Sequence, residues 1–152
     1  MVRPGISLYG VSPLGSPDSI LKPILTLKSK VALVKKFSDK RSIGYGRMYR
    51  VQGEEFIAVL QIGYADGIPV SYTNVGEVEI YNELYPVVGK VSMDLITIKC
   101  LNGKLKKGDE VILWGGNLKQ LRLENICKKI DMIPYELLTG ISKRVVRRYE
   151  GV

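Results

Sequence analysis

The 152-residue sequence has the length and composition of one globular domain, because 45% of its residues are apolar and 25% are charged. A chain of this size buries about two thirds of the surface that it exposes when unfolded, so a sizeable core is expected. No apolar run approaches the roughly 20 residues of a membrane-spanning helix, which excludes a helical membrane protein, and the formal charge of +8 raises the question of anionic partners.

The charged and reactive side chains narrow the possible chemistry. The basic excess is spread over several segments, so we interpret it as a solvated surface or as a face complementary to more acidic sequence. The sequence contains no histidine, so proton transfer near neutral pH must use tyrosine, lysine, a carboxylate or a group from another chain. Cys100 and Cys127 lack the spacing of metal ligands and are interpreted as small buried hydrophobes, which predicts no metal site and fits a reducing cytoplasm.

The first part of the chain indicates a linker followed by strands. Residues 1–20 are rich in glycine, proline and serine, which predicts an extended linker ahead of a domain at 21–152. From 24 to 37, apolar and polar residues alternate with a period of two, which indicates a long strand with one buried face. Further strands are predicted at 56–62, 77–81, 85–88, 95–100 and 109–114, with turns at Asn102-Gly103 and at 107–109.

Two helices and a last strand are predicted near the C-terminus. An apolar stripe with the spacing i, i+3, i+4 and i+7 indicates an amphipathic helix. Its members are Leu123, Ile126, Cys127 and Ile130. A shorter helix is expected to begin at Pro134 and end at Gly140, and residues 142–149 are predicted to form the final strand. Many short strands with glycine turns predict a mainly β fold, either a closed antiparallel β-barrel or a sandwich, with one or two short helices near the C-terminus.

Five short motifs follow one another along the chain. They are residues 2–6 (VRPGI), 44–46 (GYG), 62–67 (IGYADG), 89–94 (GKVSMD) and 141–145 (ISKRV). In order and approximate spacing they resemble the carboxy-terminal half of alanine racemases, and together they cover almost the whole chain. The resemblance implies a domain of an isomerase that interconverts L- and D-alanine for bacterial cell-wall synthesis, with pyridoxal phosphate as its cofactor.

The resemblance assigns the main chemical role to Tyr45. In alanine racemases the matching tyrosine is one of two bases that exchange the α-proton of the substrate, and it acts on the face opposite the cofactor lysine. Two bases are needed because inversion removes the proton from one face and returns it to the other. Without the resemblance, a tyrosine between Gly44 and Gly46 would be interpreted as an exposed aromatic residue in a turn.

The resemblance also implies residues that hold the cofactor. Arg3 matches an arginine that hydrogen-bonds the pyridine nitrogen, and a guanidinium can only donate such a bond. Gly5 and Ile6 match positions whose backbone amides bind the phosphate. Lys143 stands where many family members have a tyrosine that reaches the phosphate, so an ammonium replaces a phenol there.

Three further residues are implied on the substrate side. Tyr64 matches a tyrosine that lines the narrow entrance to the active site. Met93 matches a residue whose backbone amide meets the substrate carboxylate. Lys90 stands where many members have an arginine near that carboxylate, so the positive charge is kept and the planar fork is lost.

The resemblance implies a head-to-tail homodimer in which each site combines the barrel of one subunit with the carboxy-terminal domain of the other. Tyr45, Tyr64 and Met93 would then act in trans. Arg3, Gly5, Ile6 and Lys143 would serve the cofactor of their own subunit. No segment matches the family's amino-terminal barrel, which carries the lysine that binds pyridoxal phosphate. We therefore expect the isolated chain to be inactive, with that barrel and a small amino acid as partners and neither nucleic acid nor membrane.

Two alternatives stay open at this point. The same domain could belong to a racemase for another amino acid such as serine, because alanine and serine differ by one hydroxyl. A small basic barrel with surface aromatic residues, here Tyr49, Tyr72 and Tyr85, could instead bind the phosphate backbone of a nucleic acid.

Overall fold

Strands dominate the chain, and both helices follow the last strand. The computed structural model describes residues 1–100 and 103–151. Its strands are β1 (Leu27–Phe37), β2 (Ser42–Ile43), β3 (Tyr49–Arg50), β4 (Glu55–Leu60), β5 (Glu77–Ile80), β6 (Glu83–Pro86), β7 (Ile96–Cys100) and β8 (Glu110–Trp114), and its helices are α1 (Leu123–Ile130) and α2 (Pro134–Gly140).

Six of these strands form one antiparallel sheet in the order β6-β5-β8-β1-β4-β7. The two edges of the sheet meet just after β6, where Val87 bridges Ile98 of β7. The backbone amide of Val88 also donates to the carbonyl oxygen of Thr97 at 2.9 Å. The sheet is therefore a nearly closed barrel, which confirms the predicted mainly β antiparallel fold and decides against a sandwich.

Alternate strand residues fill the interior of the barrel. In β7, Ile96, Ile98 and Cys100 are buried in the main core, together with Trp114 from the end of β8. The four residues of the predicted stripe on α1 are buried against the same core, and α2 adds Leu137. Within the described residues, neither helix is long and apolar enough to cross a membrane.

A second, smaller core lies on the outer face of β4. Phe56 and Ala58 of this strand face the main core, so the intervening Ile57 points to the other side of the sheet. Ile57 is nevertheless buried, because the hairpin formed by β2 and β3 covers it. The members of this outer core are Ile43, Val51, Ile57 and Val88, with Phe37 and Tyr49 packed against them.

The amino-terminal segment is fixed to the barrel by a buried ion pair. Arg122 and Glu124 are in contact at 3.0 Å, and the carboxylate of Glu124 accepts the backbone amide of Ser12 at 2.9 Å. The guanidinium of Arg122 also donates to the carbonyl oxygens of Gly10 and Leu21, both at 3.1 Å. These bonds fix the path of residues 10–21, whereas the predicted domain boundary at residue 20 stays a prediction.

The predicted final strand at 142–149 is wrong. This stretch contains a short turn and then irregular backbone, in which Arg147 donates back to the carbonyl oxygen of Ile141 at 3.1 Å. Its two valines, Val145 and Val146, are adjacent rather than alternate, so they do not supply the one-sided apolar face of a strand. The predicted turn at 107–109 is confirmed, and Asn102 of the other predicted turn lies outside the described residues.

Candidate active site

Tyr45 lies at the tip of the hairpin that covers the outer core. The hairpin pairs Ser42 with Arg50 and Ile43 with Tyr49, and its tip is a short 3-10 turn over Tyr45–Arg47. Gly44 and Gly46 have φ values of 74° and 69°, a region that glycine adopts without the strain of a Cβ. Tyr45 is 72% exposed, so its phenol is accessible on the surface of this domain.

Asn74 joins this hairpin to the loop that carries Lys90. Its side-chain oxygen accepts the backbone amide of Gly89 at 2.6 Å, and its side-chain nitrogen donates to the carbonyl oxygen of Met48 at 3.3 Å. The same loop passes directly beside Gly44, because a Cβ on Gly44 would lie 3.1 Å from the amide nitrogen of Lys90. The hairpin and the loop at 89–95 are therefore neighbours, and Lys90 is exposed between them.

The short turn that carries Tyr64 packs on the far part of that loop. The amide of Tyr64 donates to the carbonyl oxygen of Ser92 at 2.9 Å, and the amide of Ala65 donates to that of Met93 at 3.0 Å. A Cβ on Gly63 would overlap both of these carbonyl oxygens, so only glycine permits this close approach. Tyr64 and Met93 are 50% and 52% exposed.

The loops that carry Tyr45, Lys90, Met93 and Tyr64 thus form one continuous surface. Each of these side chains is exposed, although the backbone beneath it is held by hydrogen bonds. Exposed side chains on a hydrogen-bonded backbone leave this surface at a defined position from which they can contribute to a site. The structure brings together the residues that the sequence placed on the base and substrate side.

The carboxy-terminal tail reaches the same surface through Arg144. Its guanidinium contacts Asp94 at 2.6 Å and Asp66 at 3.3 Å. Asp66 in turn accepts the amide of Gly63 at 2.9 Å through its side chain and the amide of Ser142 at 3.2 Å through its carbonyl oxygen. Lys143, which lies between Ser142 and Arg144, is therefore held near the Tyr64 turn, and its side chain is exposed.

Two of the four residues predicted to hold the cofactor, Gly5 and Ile6, line a separate groove. Gly5 and Ile6 begin a 3-10 turn and line this groove of about 760 Å³, together with Arg147 and Arg148 of the tail. Arg3 and Lys143 are exposed and lie two residues before Gly5 and four residues before Arg147 in the sequence. Several cationic side chains and an open backbone turn suit the charge of a phosphate, so this donor set fits the predicted cofactor.

A buried carboxylate supports the base of the Tyr45 hairpin. Glu55 accepts hydrogen bonds from the phenol of Tyr49 at 2.6 Å and from the ammonium of Lys99 at 2.7 Å. Burial alone would raise the pKa of Glu55, but the hydrogen bonds from Lys99 and Tyr49 outweigh it and lower that pKa below 4.5. Burial and the bond to Glu55 raise the pKa of Tyr49, so at neutral pH the phenol stays protonated and donates.

Sequence reasoning missed Glu55, Lys99 and Asn74. Their partners are distant along the chain, since Lys99 is 44 residues from Glu55. The sequence does carry a signal that the outer face of β4 is covered. From Glu55 to Leu60 both faces of the strand are mainly apolar, which is typical of a strand buried on both sides.

The aromatic residues proposed as a nucleic-acid surface do not form one. Tyr72 and Tyr85 are buried, and Tyr72 donates its hydroxyl to the carbonyl oxygen of Glu77 at 2.9 Å. Tyr49 is half-buried and bonded to Glu55. The interpretation of these three side chains as surface aromatics is therefore wrong, because stacking on bases requires exposed ring faces.

Comparison with known proteins gives a consistent family. The family model described as alanine racemase, C-terminal domain, matches residues 24–149. The chain is 46% identical over 144 residues to an alanine racemase of Vesicomyosocius okutanii, which covers 95% of this chain and 40% of that protein. The chain therefore spans about 40% of the length of this relative.

Solved structures show the same likeness in three dimensions. The alanine racemase of Streptomyces coelicolor A3(2) matches with a TM-score of 0.92 and 33% identity, over 99% of this chain and 41% of that one. The alanine racemase of Bartonella henselae with covalently bound pyridoxal phosphate matches with a TM-score of 0.87 and 33% identity, over 95% of this chain and 40% of that one.

The fold and the arrangement of its loops define the β-barrel domain of an amino acid racemase. The family match covers most of the chain and includes the hairpin, the Tyr64 turn and the tail. The chain belongs to the alanine racemase family and matches its C-terminal domain.

Proposed function

We propose that this chain is the C-terminal domain of a cytoplasmic, pyridoxal-phosphate-dependent alanine racemase that supplies D-alanine for bacterial cell-wall synthesis. The observation that supports this most directly is Tyr45, which is exposed at the tip of an anchored hairpin. The neighbouring loops carry the predicted substrate residues Lys90, Met93 and Tyr64. The likeness to alanine racemases over almost the whole chain agrees with this assignment.

Tyr45 acts as one of the two bases in this proposal. Its phenol oxygen takes the α-proton from one face of one enantiomer, and a second base delivers a proton to the opposite face to form the other enantiomer. In the reverse direction the second base takes the proton and Tyr45 delivers one. A free phenol titrates near 10, so the assembled site must favour its deprotonated form at the working pH. The chain has no histidine for this purpose, and the assisting group comes from another part of the enzyme.

The substrate is held by the loops beside the hairpin. Lys90 supplies a positive charge for the substrate carboxylate, and the backbone amide of Met93 donates to the same group. Tyr64 lines the entrance and limits the size of the amino acid. Because these residues share one hydrogen-bonded surface with Tyr45, the distance between base and carboxylate site is set by this domain.

The other predicted residues hold the cofactor. When bound, pyridoxal phosphate supplies the electron-withdrawing ring that makes the α-proton acidic. Gly5 and Ile6 donate backbone amides to its phosphate, and Lys143 adds positive charge. Arg3 donates to the pyridine nitrogen. The position of Gly5 and Ile6 in a groove that also contains Arg147 and Arg148 supports this assignment.

The enzyme in this proposal is a homodimer with shared sites. Tyr45, Tyr64 and Met93 serve the site of the partner subunit, whereas Arg3, Gly5, Ile6 and Lys143 serve their own. The exposure of Tyr45, Tyr64 and Met93 supports a surface that is covered on assembly. The isolated domain is accordingly inactive.

The test uses the full-length enzyme that contains this domain. Tyr45→Phe should lower kcat by about 10²- to 10⁴-fold, the range expected for the loss of a general acid–base group. Tyr81→Phe is the matched control, because Tyr81 is exposed in a turn of the barrel and its loss should leave kcat unchanged. Near-normal kcat in Tyr45→Phe would exclude the assigned base.

Mixing two inactive variants tests the trans arrangement. One carries Tyr45→Phe and the other lacks the cofactor lysine of the amino-terminal barrel. Random mixing of subunits of a two-fold dimer should restore about a quarter of the wild-type activity, because half of the dimers then contain one intact site. If base and lysine belong to the same subunit, the mixture stays inactive.

A further inference from the structure

The hairpin that carries Tyr45 has little structure of its own. Its strands β2 and β3 are two residues long and share only two residue pairs. Isolated two-stranded hairpins are marginal in water even when they are longer. The position of the tip must therefore be fixed by contacts between the hairpin and the barrel.

The polar contact at the base of the hairpin is the Tyr49–Glu55–Lys99 network. Glu55 is the first residue of β4, and its side chain is 4% exposed. It accepts the Tyr49 hydroxyl at 2.6 Å, the Lys99 ammonium at 2.7 Å and the amide of Gln52 at 3.4 Å. Two of its donors come from the hairpin and the segment after it, and the third comes from the barrel wall.

Stability alone does not require this network. Removing a carboxylate and an ammonium from water is unfavourable, and buried ion pairs can often be replaced by apolar side chains without loss. Apolar contacts are non-directional, so those of the outer core, which contains Ile43 and Ile57, permit small tilts of the hairpin over the barrel wall. Hydrogen bonds at 2.6 Å and 2.7 Å do not, because they weaken steeply with distance and angle.

The network is also close to the catalytic tip along the chain. Tyr49 pairs with Ile43 at the last rung before the turn, so a shift of its ring moves the residues of the tip with it. On the same side of the tip, next to Tyr49, Asn74 donates to the carbonyl oxygen of Met48. The tip is thus held at two points, one on the barrel wall and one on the substrate loop.

We propose that Glu55, oriented by Lys99, is a positioning residue that fixes Tyr45 for proton transfer through its hydrogen bond to Tyr49. This inference rests on the proposed role of Tyr45 as a base. It assigns a function to a carboxylate that touches neither substrate nor cofactor. A displacement of about 1 Å in a reacting group can reduce the rate about 100-fold, so small shifts of the hairpin are sufficient.

The test compares Glu55→Gln and Tyr49→Phe with Glu54→Gln in the full-length enzyme. Glu54 precedes Glu55 and is exposed, where it pairs with Lys36, so the same change there is a matched control. Tyr49→Phe removes one hydrogen bond and leaves the Glu55–Lys99 pair intact, which protects the test against misfolding of the other variant. Both test variants should lower kcat/KM about 10- to 100-fold, equally in the two directions, and Glu54→Gln should not.

Isotope effects separate positioning from a loss of folded protein. The kinetic isotope effect on kcat/KM is measured with α-deuterated L-alanine and α-deuterated D-alanine. If the proton transfer at Tyr45 becomes slower, the isotope effect rises for the enantiomer that Tyr45 deprotonates and falls for the other. A smaller folded fraction lowers both rates but leaves both isotope effects unchanged, and that outcome would overturn the proposal.

Tyr45→Phe identifies the enantiomer and keeps the two hypotheses apart. Without Tyr45, the second base still exchanges the α-proton of its own enantiomer with solvent. The enantiomer whose α-proton no longer exchanges is therefore the one that Tyr45 deprotonates. If both enantiomers still exchange at wild-type rates, the proposed base is wrong. If Tyr45→Phe behaves as expected while Glu55→Gln and Tyr49→Phe leave the isotope effects unchanged, only the positioning role is wrong.

Three further variants sharpen the result. Lys99→Arg keeps a cation beside Glu55 and should retain most of the activity, whereas Lys99→Met should resemble Glu55→Gln. The double variant Tyr49→Phe/Glu55→Gln should be no slower than the slower single variant, since both changes break the same bond. Additive losses would show that Tyr49 and Glu55 act independently and would overturn the proposed connection.

Discussion

The Tyr45 hairpin and the amino-terminal segment are both fixed to the barrel by a buried glutamate, but in different ways. Glu55 binds the side chain of Tyr49, whereas Glu124 binds the backbone amide of Ser12 and orients Arg122 toward backbone carbonyl oxygens. The first arrangement fixes where a particular side chain lies. The second fixes the path of a segment and requires no particular side chain within it.

This difference matches the chemistry proposed for the two regions. A base must be placed within hydrogen-bonding reach of one proton, which demands a fixed side chain. A phosphate bound by backbone amides requires a fixed chain path, because the amides belong to the main chain.

The largest effect is expected from breaking the Arg122–Glu124 ion pair, which holds the amino-terminal segment on the barrel. Arg122→Met keeps most of the volume but leaves the carboxylate of Glu124, which is 1% exposed, without its counter-ion. Removing one partner of a buried pair costs about 3–5 kcal/mol, so urea unfolding should show a loss of this size. Hydrogen exchange should accelerate first at the amide of Ser12 and in its neighbours.

The control for this change is Lys119→Met. Lys119 is exposed three residues before Arg122, and its replacement should alter the free energy of unfolding by less than about 0.5 kcal/mol. The amides of the Tyr45 hairpin should keep their protection in Arg122→Met unless the whole domain unfolds. Equal acceleration in both regions at native conditions would show that they are not held independently.

The sequence predicted the barrel because its long strands carry their own signal. Alternation of period two from 24 to 37 and again from 77 to 81 indicates one buried face wherever the partner strand lies. Strands β2 and β3 were not predicted, since two residues carry no period. The tail from Ser142 onward was wrongly predicted to be a strand, although its two valines are adjacent and charged residues surround them.

In the candidate site, the residues that carry the proposed chemistry were predicted, and the residues that hold their loops were not. Tyr45, Tyr64 and Met93 were singled out from short motifs that resemble a known family, and the structure brings their loops together. The groups that hold those loops could not be predicted, because Asn74 and Glu55 act on residues brought near only by folding. The catalytic and binding roles of Tyr45, Tyr64 and Met93 stay predictions until the variants are measured.

A smaller effect is expected from releasing the second anchor of the hairpin. Asn74→Ala removes the acceptor of the Gly89 amide and the donor to Met48, which should cost about 1 kcal/mol per bond. Asn74 also has a φ of 58°, so alanine adds strain there. Asn82→Ala is the matched control, because Asn82 has a φ of 63° and is exposed.

The difference between the two asparagine variants isolates the hydrogen bonds. Both changes carry the backbone strain, so the excess loss in Asn74→Ala in urea unfolding should be about 1–2 kcal/mol. The amide of Gly89 should also lose protection from hydrogen exchange. Equal losses in the two variants would mean that Asn74 is retained for its backbone conformation, and the hairpin would then have a single polar anchor.

The smallest effect is expected from acid, which acts on both glutamates. Burial alone would raise the pKa of Glu55 and of Glu124, but hydrogen bonds, first from Lys99 and from Arg122, lower each below the ordinary 4.5. Their charged forms therefore stabilise the fold above pH 4.5, and this stabilisation is lost as the pH falls through the lower folded-state pKa.

Hydrogen-exchange protection factors, corrected for the intrinsic pH dependence, should therefore fall below pH 4.5 in both regions. In Glu55→Gln the hairpin amides should lose this acid dependence while residues 10–21 keep it, and Glu124→Gln should give the reverse. The effect at the hairpin should be the smaller one, because the side chain of Lys99 is 34% exposed and that of Arg122 only 15%, and solvent screens the more open pair. An acid dependence that survives at the hairpin in Glu55→Gln would require another titrating group beneath Tyr45, which would remove the distinction between the two anchors.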